Sequence, residues 1–151
     1  MPTTKHKVFA YITHADQLLV FRHPFAPEVG IQVPAGTVEP DEAFDMAVLR
    51  EAFEETGLIN LQLIRLLGEQ VRDMADFGRD EIHHRHFYHL RCWKATATTW
   101  RHVESNSADG SGEHVFEFFW ARLPHSVPEL IGDHGKLLPV LWANLGLAQL
   151  D

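Results

Sequence analysis

The chain has 151 residues, of which 45% are apolar and 23% charged, and its 21 acidic residues outnumber 13 basic ones for a formal net charge of -8. This composition excludes a disordered chain, suits a single domain over residues 1–151, and argues against a sequence-independent nucleic-acid binder, because the overall field repels polyanions, so that there is no strong case for a nucleic-acid partner. The lone Cys92 cannot close an internal disulfide, and neither a signal peptide nor an apolar run near the roughly 20 residues of a membrane span is present, so the expectation is a cytoplasmic protein with no membrane partner.

Val8 to Thr13 and Leu18 to Phe21 are short apolar runs separated by the polar break His14-Ala15-Asp16-Gln17, which predicts a hairpin. After a loop marked by Pro24, Pro27 and Gly30, the segment Gly30-Ile31-Gln32-Val33-Pro34 reads as a brief strand, its proline favouring an end or an edge. Pro40-Asp41-Glu42 opens the clearest helix, with proline in the first turn and acids beside the positive end of the dipole. It runs to about Thr56, and Gly57 supplies the left-handed residue that commonly follows a helix. Leu61 to Val71, His83 to Trp93, Ala95 to Val103 and Val115 to Leu123 read as four further strands. The polar segments Arg72 to Ile82 and Glu104 to Glu113 read as surface loops, and Leu137 to Leu150 as a closing helix with Pro139 in its first turn. The predicted class is α+β, a mixed sheet with helices packed on it; strand order is not readable.

Glu51, Glu54 and Glu55 stand at positions i, i+3 and i+4 of the first helix, on one side that also carries Phe44, Ala47 and Val48. Acids on a helix are ordinarily a solvated face. Like charges at this spacing oppose one another by roughly 0.2–0.5 kcal/mol per pair, and acids near a helix C-terminus also oppose the dipole. A hard divalent cation removes the conflict, since Mg²⁺ and Mn²⁺ prefer carboxylate oxygens. Arg50, four residues before Glu54, can orient that carboxylate through paired hydrogen bonds.

From Gly36 to Leu58 the chain resembles the Nudix box: a glycine, five residues, Glu, seven residues, then Arg-Glu-U-x-Glu-Glu-x-Gly-U, with U a bulky apolar residue. Gly36, Glu42, Arg50, Glu51, Glu54, Glu55, Gly57 and Leu58 stand where the pattern places them, and Ala52 is a small residue at the first U. The resemblance implies an α/β/α sandwich, a mixed sheet carrying the loop-helix-loop of the box and a C-terminal helix. It also implies a pyrophosphohydrolase that uses Mg²⁺ or Mn²⁺ to direct water at phosphorus in a nucleoside diphosphate linked to another moiety. By the same resemblance Glu51, Glu54, Glu55 and the Gly36 carbonyl are metal ligands, Glu54 is the candidate base, Glu51 and Arg50 share the catalytic site, and Glu42 and Gly57 are structural. Glu42 would satisfy backbone N–H groups at the helix start.

In some relatives a further acid comes from a later loop, where this chain has Glu104, Glu113 and Glu117, with Glu113 the preferred candidate. Arg22, Arg72, Arg79 and Arg85 are candidate phosphate contacts, although each taken alone is an ordinary surface charge. His83-His84-Arg85-His86 reads as strand decoration, its side chains alternating between faces. Phe116, Phe118, Phe119 and Trp120 are read mainly as core, with stacking on a base as the other use. The expected partner is a small nucleotide-like diphosphate; a homodimer is compatible with the resemblance. The alternative is a catalytically silent nucleotide- or RNA-binding module on the same fold, which would be expected to have lost metal-binding acids. Val33-Pro34-Ala35-Gly36 is similar to the approach in enzymes that cleave ADP-ribose and other nucleotide sugars, yet the proline that often accompanies that activity is missing near Asp73.

Overall fold

The computed structural model describes residues 1–104 and 114–147. In chain order the elements are β1 (Thr3–His14), β2 (Gln17–Arg22), β3 (Ala35–Thr37), α1 (Phe44–Thr56), β4 (Leu61–Asp73), β5 (Glu81–Cys92), β6 (Thr99–Glu104), β7 (His114–Arg122) and α2 (Leu138–Asn144). The sheet runs β4-β5-β1-β2-β7-β6, and β3 pairs with β1 off this path. It is mixed: β1 and β5 are parallel from Thr3 opposite Glu81 to Thr13 opposite Arg91, while the other pairings are antiparallel. Among the described residues no helix is long and apolar enough to cross a membrane.

The expected hairpin forms, closing with His14 opposite Gln17. Alternation along it feeds two cores, because successive side chains of a strand point to opposite faces. Val8, Ala10 and Ile12 join Leu19, Phe21 and Phe118 under α1 residues Ala47, Val48 and Ala52. Phe9 and Tyr11 join Leu18, Val20 and Phe87 under α2 residues Leu138 and Leu141. The helices thus cover opposite faces of the sheet, as the sandwich requires. Phe116 and Phe118 are buried, and Phe119 and Trp120 pack against the two cores.

Several boundaries move, beginning with β1, which starts at Thr3 rather than Val8. The strand expected at Gly30 to Pro34 is reduced to isolated bridges, Phe21 with Gln32 and Ile31 with Leu130, and the regular pairing begins at Ala35. Val33 is fully buried and its N–H goes to the His134 ring, so this segment is held by packing and a side chain rather than by a ladder. The helix begins at Phe44, not Pro40: Asp41 has φ +62°, which a right-handed helix cannot accommodate, and the N-cap Ala43 is extended with no side-chain cap. The third predicted strand starts four residues late, at Thr99 rather than Ala95. The closing helix, expected to run to Leu150, ends at Asn144, ahead of Gly146 in the left-handed conformation (φ +71°); Leu150 lies outside the described residues.

Candidate active site

Gly36 lies at the centre of β3, and α1 crosses directly above it. A Cβ placed on Gly36 would stand 1.9 Å from Glu51 Cδ, so only glycine lets the carboxylate rest on the strand. The left-handed Gly57 (φ +75°) ends α1 and gives its N–H to the Phe53 carbonyl. His102 of β6 then donates from Nε2 to the Glu54 carbonyl at 2.9 Å, tying the end of the helix to the neighbouring strand. These constraints set one end of a cavity of about 790 Å³ lined by Gly36, Glu51, Glu54, Glu55, Arg50 and Glu104, among others.

Arg50 organises the acids. Its Nε and Nη2 meet both Glu42 oxygens at 2.7 and 2.9 Å, Nη1 meets Glu51 Oε1 at 2.9 Å and Glu54 Oε2 at 3.2 Å, and Nη2 also reaches the Thr37 carbonyl at 3.1 Å. The paired contact expected with Glu54 is therefore made with Glu42. Glu42 in turn accepts the Glu39 N–H rather than a helix N–H, because residues 39–42 form a turn ahead of α1. The Arg50 guanidinium, with the Glu39 N–H adding to it, holds the Glu42 carboxyl down at about 2.

The remaining acids are held against their own charge. Burial pushes the Glu51 carboxyl up to about 7, overcoming the Arg50 contact, with Glu54 and Glu104 raising it further. Glu55 is only 7% exposed and accepts the Ala35 N–H at 2.9 Å; burial first, then Glu104 and Glu51, drive its carboxyl well above the usual range. Glu54 is half exposed. Among the described residues no three acid, histidine or cysteine side chains already enclose a cation position. The set still fits one: it is all oxygen, three of its acids are crowded on one wall, and glycine leaves the room that a Cβ would fill.

The later acids separate cleanly. Glu104 lines the acid cavity, whereas Glu117 lies on β7 bound by Arg22 at 3.2 Å and Arg101 at 3.1 Å; Glu113 lies outside the described residues. Arg22, with its guanidinium 4.3 Å from the centre of the Phe119 ring, belongs to that strand pair and lines neither cavity beside Gly36. Arg72 is likewise engaged, by Asp76 at 2.8 Å and Asp133 at 3.0 Å. Arg79 and Arg85 line a second cavity, about 480 Å³, which shares Lys7, Ala35 and Gly36 with the first. His83 faces it together with Arg85, while His84 and His86 contact His6 and Phe44 on the opposite face, as alternation requires. Lys7, His102 and His134 were not anticipated. Alternation along β1 could have placed Lys7 beside Phe9, but the contacts of His102 and His134 span more than 40 residues of sequence.

The chain matches the NUDIX domain over residues 3–139. No curated protein matches it in sequence. Among solved structures it is similar to UDP-X diphosphatase, at 16% identity and TM-score 0.65, with 97% of this chain and 64% of that chain covered. It is similar also to a MutT NUDIX hydrolase from Burkholderia pseudomallei, at 21% identity and TM-score 0.61, covering 92% and 98%. A third is a bifunctional NMN adenylyltransferase/ADP ribose pyrophosphatase from Francisella tularensis complexed with AMP and a Mn ion, at 19% identity and TM-score 0.56, covering 95% and 42%. The chain thus spans less than two thirds of the first and third of these proteins, and identities this low carry the fold alone. The match across residues 3–139, on a mixed sheet that carries the acids of α1 over Gly36, makes the chain a member of the Nudix family.

Proposed function

We propose that residues 1–151 act as a single hydrolase domain that cuts the diphosphate of a nucleoside diphosphate linked to another moiety, with Mg²⁺ or Mn²⁺ as cofactor. The observation that carries this reading is the crowding of Glu51, Glu54, Glu55 and Glu104 around one cavity, with two of those carboxyls pushed upward. Nudix hydrolases generally use divalent metal ions. Glu51, Glu54, Glu55 and the Gly36 carbonyl would hold the cation, which when bound offsets phosphate charge and lowers the pKa of water.

Each residue then has a task. Glu54, the most exposed acid of the three, accepts the proton of the attacking water. Arg50 is a positioning residue: it engages one oxygen each of Glu51 and Glu54, and Glu42 fixes Arg50 from behind. Lys7, at the wall shared by the two cavities, supplies positive charge to the phosphate chain. The names of the structural neighbours, a UDP-X diphosphatase and an ADP ribose pyrophosphatase bound to AMP, support a nucleotide-like substrate.

A panel of nucleoside diphosphate derivatives with Mg²⁺ or Mn²⁺ tests the proposal. Turnover that depends on the cation and falls at least about 100-fold in Glu54→Gln, the lower end of what a general base contributes, is expected. Absence of turnover across the panel, with no cation bound, would sink it.

A further inference from the structure

The second cavity is built from the opposite charge. Among the described residues, Lys7, Arg79 and Arg85 line it against a single carboxylate, Glu28. Its innermost cation is unusual. Arg85 is 2% exposed, yet among the described residues no carboxylate pairs with it; Nη1 donates to the Gly132 carbonyl at 2.6 Å, Nη2 faces the Met74 sulfur at 3.5 Å, and Nε is buried without a partner. The nearby acids are already taken, since Asp76 and Asp133 both bind Arg72. The Phe9 ring, 4.8 Å from the guanidinium carbon, holds the group in place. A buried charge in this state is costly unless an opposite charge completes it.

The neutral groups around Arg85 suit the same completion. His134 accepts the Val33 N–H at Nδ1, so its other ring nitrogen carries the proton and donates. His83 has one ring nitrogen engaged by Glu81 at 2.9 Å and the other, Nδ1, buried and unpartnered, open to the O–H of a monoprotonated phosphate. Phe77 and Ile131 add apolar wall, and the volume suits part of a small ligand.

We propose that this cavity is a subsite for a second phosphate group, one carried by the substrate outside the diphosphate being cut, and that Arg85 selects it. The inference rests on the hydrolase reading, because Gly36 and Lys7 border both cavities and one molecule would span them. Two sources supply such a group: a longer polyphosphate chain, or a phosphate monoester on the nucleoside.

The test begins without metal. In EDTA, inorganic phosphate should raise the Tm of the native protein, and Arg85→Met should abolish that response while leaving the phosphate-free Tm equal or higher, because an uncompensated charge is gone. Arg85→Lys should restore part of the response. An unresponsive native protein, or an Arg85→Met variant that responds like it, overturns the proposal. If Arg85→Met does not fold, Arg79→Gln at the exposed rim carries the comparison, and an undiminished response there overturns it equally.

With Mg²⁺, kcat/KM is then compared for ADP-ribose against 2′-phospho-ADP-ribose, and for a dinucleoside diphosphate against its tetraphosphate. One pair should show a preference of roughly 10- to 100-fold, the worth of a charge-assisted contact, which Arg85→Met removes. The pair that shows it identifies the source. Turnover with no preference in either pair sinks the subsite alone; no turnover at all sinks the hydrolase reading, while the phosphate titration in EDTA still judges the subsite.

Discussion

The two cavities that meet at Gly36 are mirror images in charge. Among the described residues, Glu51, Glu54, Glu55 and Glu104 face each other on one side with Arg50 as their main cation; on the other Lys7, Arg79 and Arg85 gather with Glu28 as the one carboxylate. In both cases residues that could have neutralised the cluster are engaged elsewhere: Glu42 takes two nitrogens of Arg50, and Arg72 takes Asp76 and Asp133. On the proposed readings, each half would be completed by a ligand of opposite sign. The difference teaches that the wall, not either cluster, is the structural element on which the site depends, because it keeps the two sets from quenching one another.

Breaking the wall should have the largest effect. In Gly36→Ala the new Cβ would stand 1.9 Å from Glu51 Cδ and 2.2 Å from its Oε2, so the carboxylate or the strand must move. A displacement near 1 Å costs about 100-fold in turnover, and we expect at least that loss in steady-state kinetics. The Tm gain with Mg²⁺ should vanish as well, whereas the phosphate response in EDTA should survive. Loss of both responses together would show that the cavities are one unit.

Which parts of this arrangement were legible in advance follows the range of the interactions. The hairpin and α1 with its acids are written in local periodicity and turn residues and appear within about five residues of where sequence places them, whereas the closing helix starts within a residue of its expected place, at Leu138, but ends at Asn144, about half the expected length. Ala52, small where the Nudix pattern has a bulky residue, lies fully buried on the core face of α1, so the departure is a matter of core volume. The misreadings involve long-range partners. Gly30 to Pro34 reads as a strand, but Val33 spends its N–H on His134, about a hundred residues away in sequence. The four arginines look alike as residues; Arg22 and Arg72 are neutralised by acids brought to them by the fold, and Arg85 is left by the same process without a carboxylate partner among the described residues. Arg50 does reach Glu54 as expected, but by one nitrogen, because the turn at residues 39–42 carries Glu42 to its paired face.

The pH dependence of stability should sharpen the comparison, because the two halves have opposite signs. Glu51, with a folded value of about 7 against 4.5 unfolded, binds its proton more tightly in the native state, so its contribution worsens as pH rises from 4.5 to 7 and is fully unfavourable above that. At pH 8 this costs about 3 kcal/mol in metal-free protein. His134 behaves in the other sense: burial, then Arg85 and Arg72, hold it down to about 3 against 6.5, so the native state loses stability as pH falls below 6.5. At pH 5 that loss is about 2 kcal/mol. Denaturant titrations in EDTA at pH 5 and pH 8 resolve the two, with Glu51→Gln reducing the slope of the alkaline limb, to which the buried Glu55 also contributes, and His134→Asn that of the acidic one, to which His83, His86 and His89 also contribute. A variant that shifts both limbs equally would show the assignment of sides to be wrong.

The smallest effect should come from the far end of α1. Gly57→Ala forces an L residue into φ +75° and brings its Cβ to 3.1 Å from the His102 ring. The left-handed conformation costs about 1–2 kcal/mol, and the ring must yield by a few tenths of an ångström. His102 cannot yield far, since its Nε2–H holds the Glu54 carbonyl at 2.9 Å, so the strain passes into the turn that carries Glu54 and Glu55. A fall in Tm with a several-fold loss of kcat, at unchanged phosphate response in EDTA, is the expected pattern. Gly57→Asn separates the two causes: asparagine tolerates the left-handed region, so it should recover the backbone part of the Tm loss. The crowding against His102 would remain, and any kcat deficit that persists in Gly57→Asn measures how far that histidine positions the acidic end of the helix.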